Sequence, residues 1–352
     1  MTLIKVKSRG TDNVTGRKNI VINGAMQIAQ RGNQTGLTNA YTGVDRFKFL
    51  SNGGSVATGK QGQSSTPENG FPKSLNIDVT TADTSVGAGD YALVRHTMEG
   101  HNLQNLKYGT SSAETVTLSF YVKSPKTGVH WVELFTYDGS KFNSASYTVS
   151  SANTWEKKTL SFVGETATAI ADDNTAGMLV QWWLLAGSNY TGGTHPGNTW
   201  HTTTANRVPG QVNVMDSTSN DFYLTGVQLE VSNSASDFEH RSFGEELALC
   251  QRYYQVKGAG SGYYAGNGVS TNKIACGFPL ATSMRATPST PPNVNVHRSG
   301  NQSVTASIDQ ISLGYSNDIG SNCQVRFVGH SVSDETPYNV SLNGVLKLDS
   351  EL

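Results

Sequence analysis

Residues 115–122 read TVTLSFYV, and this stretch decides the fold class of the chain. Tyr121 and the small polar residues lie on one face of the extended backbone that this pattern predicts. The apolar residues lie on the other face: Val116, Leu118, Phe120 and Val122. A period of two is typical of a β-strand that rests one face on a hydrophobic core. The stretch therefore predicts a sheet that is packed on one side.

Similar strand patterns recur along most of the chain, separated by turn-forming residues. They occur at 19–23, 47–49, 75–79, 91–98, 129–137, 147–149, 155–163, 178–185 and 222–230. The run MLVQWWLLA, residues 178–186, is apolar on both faces and predicts a central strand. No long helical period interrupts these segments, which argues against a βαβ fold. The pattern predicts an all-β chain that forms a two-sheet jelly-roll sandwich.

Residues 237–256 read DFEHRSFGEELALCQRYYQV and predict a short connecting helix. Ser242 and Glu245 fit a capping box, in which each side chain accepts a hydrogen bond from the backbone amide of the other. The acidic residues of the first turn also suit the helix dipole. Gly258 and Gly260 are expected to end the helix.

The apolar stripe of this helix must dock on another surface, because a helix of about three turns is marginal alone in water. The stripe and the residue beside it provide the expected joint contacts: Leu247, Cys250, Tyr253 and Tyr254. They can dock on the sandwich of their own chain, or three copies can meet on an axis. We favour a neighbouring subunit, which predicts a homotrimer.

Beyond the helix the chain is β-like again, with the best strand patterns at residues 273–279 and 324–328 and further ones at 308–314 and 340–348. The predicted organisation is an N-terminal docking arm, a jelly-roll sandwich, a connecting helix and a second, smaller C-terminal β-domain. These units span residues 1–17, 18–236, 237–256 and 257–352.

Composition and charge exclude several classes of function. With 26 basic and 27 acidic residues the net charge is −1, which indicates neither nucleic acid nor an anionic membrane as a partner. Cys250, Cys276 and Cys323 show no motif spacing, so they are expected to be buried residues of a protein made in a reducing cytoplasm. The sequence predicts neither a signal peptide nor a membrane insertion.

Catalytic motifs are not found in the sequence. Acidic residues occur as adjacent pairs at 172–173 and 245–246, and adjacent carboxylates do not face each other across a substrate as glycoside hydrolysis requires. A nucleophile elbow and a phosphate-binding loop of correct spacing are also missing. We therefore expect no enzymatic activity and no catalytic cofactor.

Several segments resemble virion proteins of tailed bacteriophages. The opening of that family is similar to residues 19–27 (NIVINGAMQ), 30–32 (QRG) and 45–47 (DRF). Strands of its jelly-roll, carbohydrate-binding-module-like domain resemble 118–124 (LSFYVKS) and 154–157 (TWEK). The exit of that domain resembles 228–230 (QLE), 238–241 (FEHR) and 245–254 (EELALCQRYY), and a segment that follows resembles 285–288 (RATP). The resemblance covers most of residues 18–288.

The resemblance implies a non-enzymatic structural protein of the virion, of the tail-fibre or spike kind, assembled in the cytoplasm of the bacterial host. The arm would contact other virion proteins, and the body would contribute to host attachment through cell-surface glycans. One alternative is a capsid decoration or head-fibre protein that binds no receptor. A weaker alternative is a polysaccharide depolymerase.

Two sites are predicted for a protein of this kind. Sugars stack on exposed aromatic rings while polar groups bind their hydroxyls, so we expect glycan contacts in the long loop 187–219 and at the turn after residue 136. The candidates are Tyr190, His195, Trp200, His201, Tyr137 and Asp138. The alternative for Trp200 is that it packs its own loop against the sandwich or a neighbouring subunit. Asp221 is the candidate ligand of a structural calcium ion.

Overall fold

A computed structural model of the chain describes residues 17–37, 39–53, 58–65, 70–257, 264–270, 273–289, 294–298, 302–313, 322–328, 337–342 and 346–352. The strands up to residue 231 are β1 (Gln34–Leu37), β2 (Asn39–Tyr41), β3 (Phe47–Asn52), β4 (Thr58–Ser64), β5 (Ser74–Thr81), β6 (Tyr91–Glu99), β7 (Val116–Lys123), β8 (Gly128–Thr136), β9 (Lys141–Val149), β10 (Glu156–Phe162), β11 (Ala176–Ala186) and β12 (Asp221–Val231).

Within the described residues these strands form two six-stranded antiparallel sheets. The first sheet has the order β1-β4-β5-β12-β7-β10, and the second has the order β2-β3-β6-β11-β8-β9. The inner faces of both sheets share one hydrophobic core, which includes Phe120 of β7 and Trp182 of β11 with ring centroids 5.8 Å apart. The predicted all-β sandwich is confirmed. The central position predicted for residues 178–185 is also confirmed, because β11 pairs with β6 and β8.

The strand predicted at residues 19–23 is wrong. This stretch forms a turn, with Asn23 in the left-handed region at φ 61°. Its apolar residues are nevertheless buried, Val21 fully and Ile22 to 9 % exposure. Its alternation therefore reflects side-chain packing and not strand pairing.

The remaining strands are β13 (Tyr254–Lys257), β14 (Tyr264–Ser270), β15 (Lys273–Pro279), β16 (Val294–Arg298), β17 (Gln302–Leu313), β18 (Asn322–Val328), β19 (Pro337–Leu342) and β20 (Leu346–Asp349). Strands β13 and β20 pair with each other, and the other six close a barrel in the order β14-β15-β18-β17-β16-β19. The segment predicted at 340–348 spans parts of two strands, β19 and β20. The predicted docking arm lies outside the described residues except for Arg17.

Helix α1 (Ser188–Thr191) is a single turn in the long loop, and helix α2 (Phe243–Gln251) is the predicted connecting helix. The Ser242 hydroxyl accepts from the Glu245 amide as predicted. The Glu245 carboxylate does not complete the capping box but pairs with Arg17 at 2.9 Å. The helix ends at Gln251, well before the predicted glycine stop, because the chain enters β13 at Tyr254.

The joint residues are covered by their own chain. Cys250 and Tyr253 are fully buried in a cluster with Ile22 and Ile28, and Tyr254 is 2 % exposed. Leu247 packs against the same cluster. Cys250, Tyr253 and Tyr254 therefore make joint contacts within their own chain. The homotrimer stays a prediction, with an interface outside these three side chains.

The buried imidazole of His96 makes stability depend on pH. Its Nε2 atom lies 3.1 Å from the Ile22 carbonyl oxygen, and burial and then the neighbouring Arg46 charge hold its pKa well below the usual value. A depressed histidine pKa gives stability that is complete above the unfolded pKa of about 6.5 and is lost as the pH falls below it. We expect the free energy of unfolding to fall by up to about 1.4 kcal/mol per pH unit between about pH 6.5 and 5.

Chemical denaturation of the wild type and of His96→Gln at several pH values measures this contribution. The glutamine variant should show a smaller slope than the wild type. His130 is also buried with a lowered pKa, so the difference between the slopes isolates His96. Equal slopes for wild type and His96→Gln would contradict the assignment.

Candidate functional site: the open half of the first sheet

The long loop 187–219 folds onto the outer face of the second sheet, and three predicted glycan residues face that sheet. The Tyr190 ring packs 5.2 Å from the Trp183 ring, and burial raises the pKa of the Tyr190 hydroxyl. His195 lies against Trp131, and the backbone of His201 exchanges two hydrogen bonds with Phe142. Burial lowers the pKa of both histidines.

Arg207 attaches this loop to the sheet. Its guanidinium donates to both oxygens of the fully buried Glu133 at 2.8 and 2.6 Å. The same guanidinium lies 4.0 Å from the centre of the Phe142 ring and 4.8 Å from that of Trp183. Glu133 also accepts from Gln181 at 2.9 Å. The loop is thus held by a satisfied, charge-assisted network on the second sheet.

The other three predicted glycan residues lie at separate places. Trp200 donates its indole N–H to the Val163 carbonyl at 2.7 Å and packs edge-on against Tyr108, as in the packing alternative for this residue. Tyr137 is 44 % exposed beyond the end of β8, and Asp138 accepts from the Ala171 amide. The six residues do not form one surface, and their glycan contacts stay a prediction.

Asp221, the predicted calcium ligand, begins β12. Its carboxylate accepts from the Asn76 amide at 3.1 Å, and Asp78 lies opposite on β5. In the described part of the chain, no group of three or more His, Cys, Asp or Glu side chains could hold a metal ion. Two carboxylates alone are fewer ligands than calcium usually takes. The calcium site stays a prediction.

One half of the outer face of the first sheet is covered by residues 232–240. Gln228 and Glu230 point outward from β12, and Ser236 and Glu239 hydrogen-bond to them. Phe238 continues this cover, since its ring lies 4.8 Å from that of Phe71. These contacts leave the side chains of Gln228 and Glu230 at most 2 % exposed.

The other half of that face, which we call the open half, carries three partly exposed aromatic side chains: Tyr121, Trp155 and Tyr223. Tyr223 lies directly opposite Lys123 of β7, and Trp155 precedes β10 with its ring 6.2 Å from the Tyr223 ring. Tyr121 is the next outward residue along β7, about 7 Å from Lys123. The three rings therefore form an aromatic platform.

Gly226 lies where the aromatic platform meets the covered half of the sheet. It lies in the left-handed region at φ 58°, within the irregular part of the β7–β12 register. A Cβ atom here would come within 2.8 Å of the Phe71 ring and 3.0 Å of the Tyr121 ring. These two rings, with centroids 5.6 Å apart, can approach the backbone only because residue 226 has no side chain.

Polar side chains extend from the platform along the next strands in register. Asn76 of β5 lies opposite Tyr223, and in the neighbouring outward row Asp221, Asp78 and Lys60 lie opposite one another. Aromatic faces beside amide and carboxylate groups are the side-chain types that hold the apolar faces and the hydroxyl groups of sugars. The open half therefore carries the side-chain types of a carbohydrate-binding surface.

Sequence reasoning missed this surface, although it placed Tyr121 on the face opposite the core. The signal was present in the alternation of β7 and β12. The pattern did not reveal which outward face stays open, because that depends on residues 187–219 and 232–240 covering other areas.

The adjacent acidic pairs have structural partners. Asp172 pairs with His101, and Asp173 accepts from Thr175. Glu246 accepts from the backbone amide of Asn23, which fixes the turn of the opening segment on helix α2.

No protein-family model and no curated protein sequence matches the chain. Among solved structures, the enzymatically active domain of bacteriophage CBA120 tailspike protein 4 is similar at 13 % identity and a TM-score of 0.33, over 61 % of this chain and 21 % of that one. The family 11 carbohydrate-binding module of Clostridium thermocellum, solved with a β-1,3-1,4-mixed-linked tetrasaccharide, is similar at 12 % identity and a TM-score of 0.29, over 58 % and 98 %. At such TM-scores the function must be judged from the geometry of the site itself.

Proposed function

We propose that this chain is a glycan-binding, non-enzymatic structural protein of a tailed-bacteriophage virion, a homotrimer of the tail-fibre or spike kind. The aromatic platform of the open half, with its adjoining polar rows, is the observation that carries the glycan-binding role. It presents three partly exposed rings in one plane of strands, next to amide and carboxylate acceptors. A row of partly exposed rings of this kind suits the side of a polysaccharide chain.

The virion role is supported by the sequence motifs, which the fold brings together. Gln30 and Arg31 of the QRG segment contact Asp45 of the DRF segment, with Gln30 donating from its backbone and side chain at 3.0 and 2.6 Å. Arg241 of the FEHR segment donates to the carbonyl oxygens of Asn19 and Val21 in the opening. The resembling segments thus form one continuous structural unit.

Two further observations fit assembly in a bacterial cytoplasm and attachment by the arm. Cys250 and Cys276 are free and buried, and burial raises the pKa of both thiols, so they stay as unreactive thiols. Arg17 pairs with Glu245 at the start of helix α2. The arm, residues 1–17, would contact other virion proteins.

Removing the platform should weaken glycan binding. In Trp155→Ala with Tyr223→Ala we expect binding to host-cell surface glycans to weaken about tenfold or more, because two stacking rings are lost. Adsorption of the purified protein to host cells and to an array of surface polysaccharides measures this. The rings are partly exposed, so thermal unfolding should change little.

Phe243→Ala is the matched control, since it removes an exposed ring at the start of helix α2. Binding that survives in the double variant, or is lost equally in Phe243→Ala, would contradict the assignment of the open half. Binding to empty capsids without adsorption to cells would favour a decoration protein, and release of sugar fragments would favour a depolymerase.

A further inference from the structure

Two lysine side chains lie on the aromatic platform. The Lys123 ammonium is 4.1 Å from the centre of the Tyr223 ring and 5.4 Å from that of Trp155. The Lys157 ammonium is 5.9 Å from the centre of the Tyr121 ring, and Lys157 lies opposite Tyr121 in the strand register. Cation–π attraction holds a positive charge next to each ring.

Neither ammonium group has a carboxylate partner in the described part of the chain. This distinguishes them from neighbouring lysines, because Lys158 on the same strand pairs with Glu156 at 2.6 Å. Lys126 pairs with Asp216 and Lys141 pairs with Glu165 in the same way. The two ammonium groups on the platform therefore differ from these three lysines in that no carboxylate of the described residues neutralises them.

The positive and negative side chains of the open half lie in different places. Lys123 and Lys157 lie at the β7–β10 end. Asp221 and Asp78 lie in the row beyond Tyr223 on β12 and β5, where one lysine, Lys60 of β4, is opposite Asp78 and the acids outnumber it. Outward rows are about 7 Å apart along a strand. A sugar on the Trp155–Tyr223 rings would thus have cations on one side and hydrogen-bond acceptors on the other.

We propose that the ligand of this platform is an acidic polysaccharide, in which each bound sugar unit carries a carboxylate. This inference rests on the proposed function and specifies its ligand class. The carboxylate pairs with Lys123 and Lys157, the sugar ring stacks on Trp155 and Tyr223, and hydroxyl groups on the far side donate to Asp221. The opposite orientation would bring the ligand carboxylate against the two aspartates and is disfavoured.

The test compares polymers that differ only in charge. Polygalacturonate and its fully methyl-esterified form share one backbone, and polysialic acid tests the other common source of sugar carboxylates. We expect the full chain to bind at least one acidic polymer about tenfold more tightly than the esterified polymer, with affinity that falls as salt is added. Lys123→Gln with Lys157→Gln should remove this difference between the acidic and the esterified polymer.

Lys107→Gln is the control, because Lys107 is exposed and paired with Glu114 away from the platform. Equal affinity for the acidic and esterified polymers, or failure of every acidic polymer to bind, overturns the inference. Neutral-glycan binding that is lost in Trp155→Ala would then still support the proposed function. Loss of acidic-polymer binding in Lys107→Gln as well would show a non-specific charge effect and would also overturn the inference.

Discussion

Replacing Glu351 with Gln is expected to lower the free energy of unfolding by about 3–5 kcal/mol. Its partner Arg46 is fully buried, donates to the Thr97 carbonyl at 2.7 Å, and lies 3.3 Å from the centre of the Tyr253 ring. The Arg46 guanidinium also pairs with the Glu351 carboxylate. Without the Glu351 charge, the buried Arg46 cation loses its main compensating anion. This loss costs far more stability than the loss of an exposed ion pair. Chemical denaturation at neutral pH measures the change.

A double-mutant cycle with Arg46→Met checks the cause. Methionine fills much of the same space and removes the cation, so adding Arg46→Met to Glu351→Gln should recover part of the lost stability. Arg31 also pairs with Glu351, at 3.2 Å, and limits the recovery. If Glu351→Gln alone lowers the free energy of unfolding by less than about 1 kcal/mol, the pair behaves like an exposed ion pair. That result would contradict a large contribution of the Arg46–Glu351 pair to stability.

This contact explains why segments that are distant in sequence belong to one unit. Arg46 of the DRF segment binds Glu351, and Arg31 of the QRG segment lies 3.7 Å from the centre of the Tyr254 ring. Arg252 at the end of helix α2 donates to both oxygens of the buried Glu99. The C-terminal end of the connecting helix is therefore fixed to the second sheet.

The strands that the sequence predicted are those with strong apolar alternation, such as β5, β7 and β12. Strand β4 was missed because its residues, TGKQGQS, include two glycines and no large apolar side chain. It is stabilised by a buried polar group instead, since the Gln61 amide donates to the Phe47 carbonyl at 2.9 Å. Alternation cannot reveal a strand whose core contact is a hydrogen bond.

The candidate site could be predicted only in part, for a related reason. The alternation of β7 and β12 places Tyr121 and Tyr223 outward, but their closeness depends on the register that sets Tyr223 opposite Lys123. The aromatic residues of the long loop looked more exposed in the sequence than they are. A buried acid, Glu133, attracts Arg207 and draws that loop onto the sheet.

The contact between Glu133 and Arg207 gives the second large expected effect on stability. We expect Glu133→Gln to release loop 187–219 from the second sheet, with a loss of about 3–5 kcal/mol in the free energy that holds it closed. Glu133 is fully buried and accepts from Arg207, Gln181 and Ser144. Glutamine removes the charge and offers one oxygen, so Arg207 would remain among aromatic rings without a carboxylate. Hydrogen exchange and limited proteolysis of the loop measure the opening.

Glu114→Gln is the matched control, because Glu114 forms an exposed pair with Lys107 and should change stability by about 1 kcal/mol or less. Release of the loop would uncover Trp183 and Trp131, so binding of a hydrophobic dye should rise together with proteolysis in Glu133→Gln only. Because the platform lies on the first sheet, glycan binding should survive this variant. If the loop stays protected in Glu133→Gln, its apolar packing alone suffices to hold it on the sheet. If glycan binding is lost together with the loop, the glycan site lies on the second sheet.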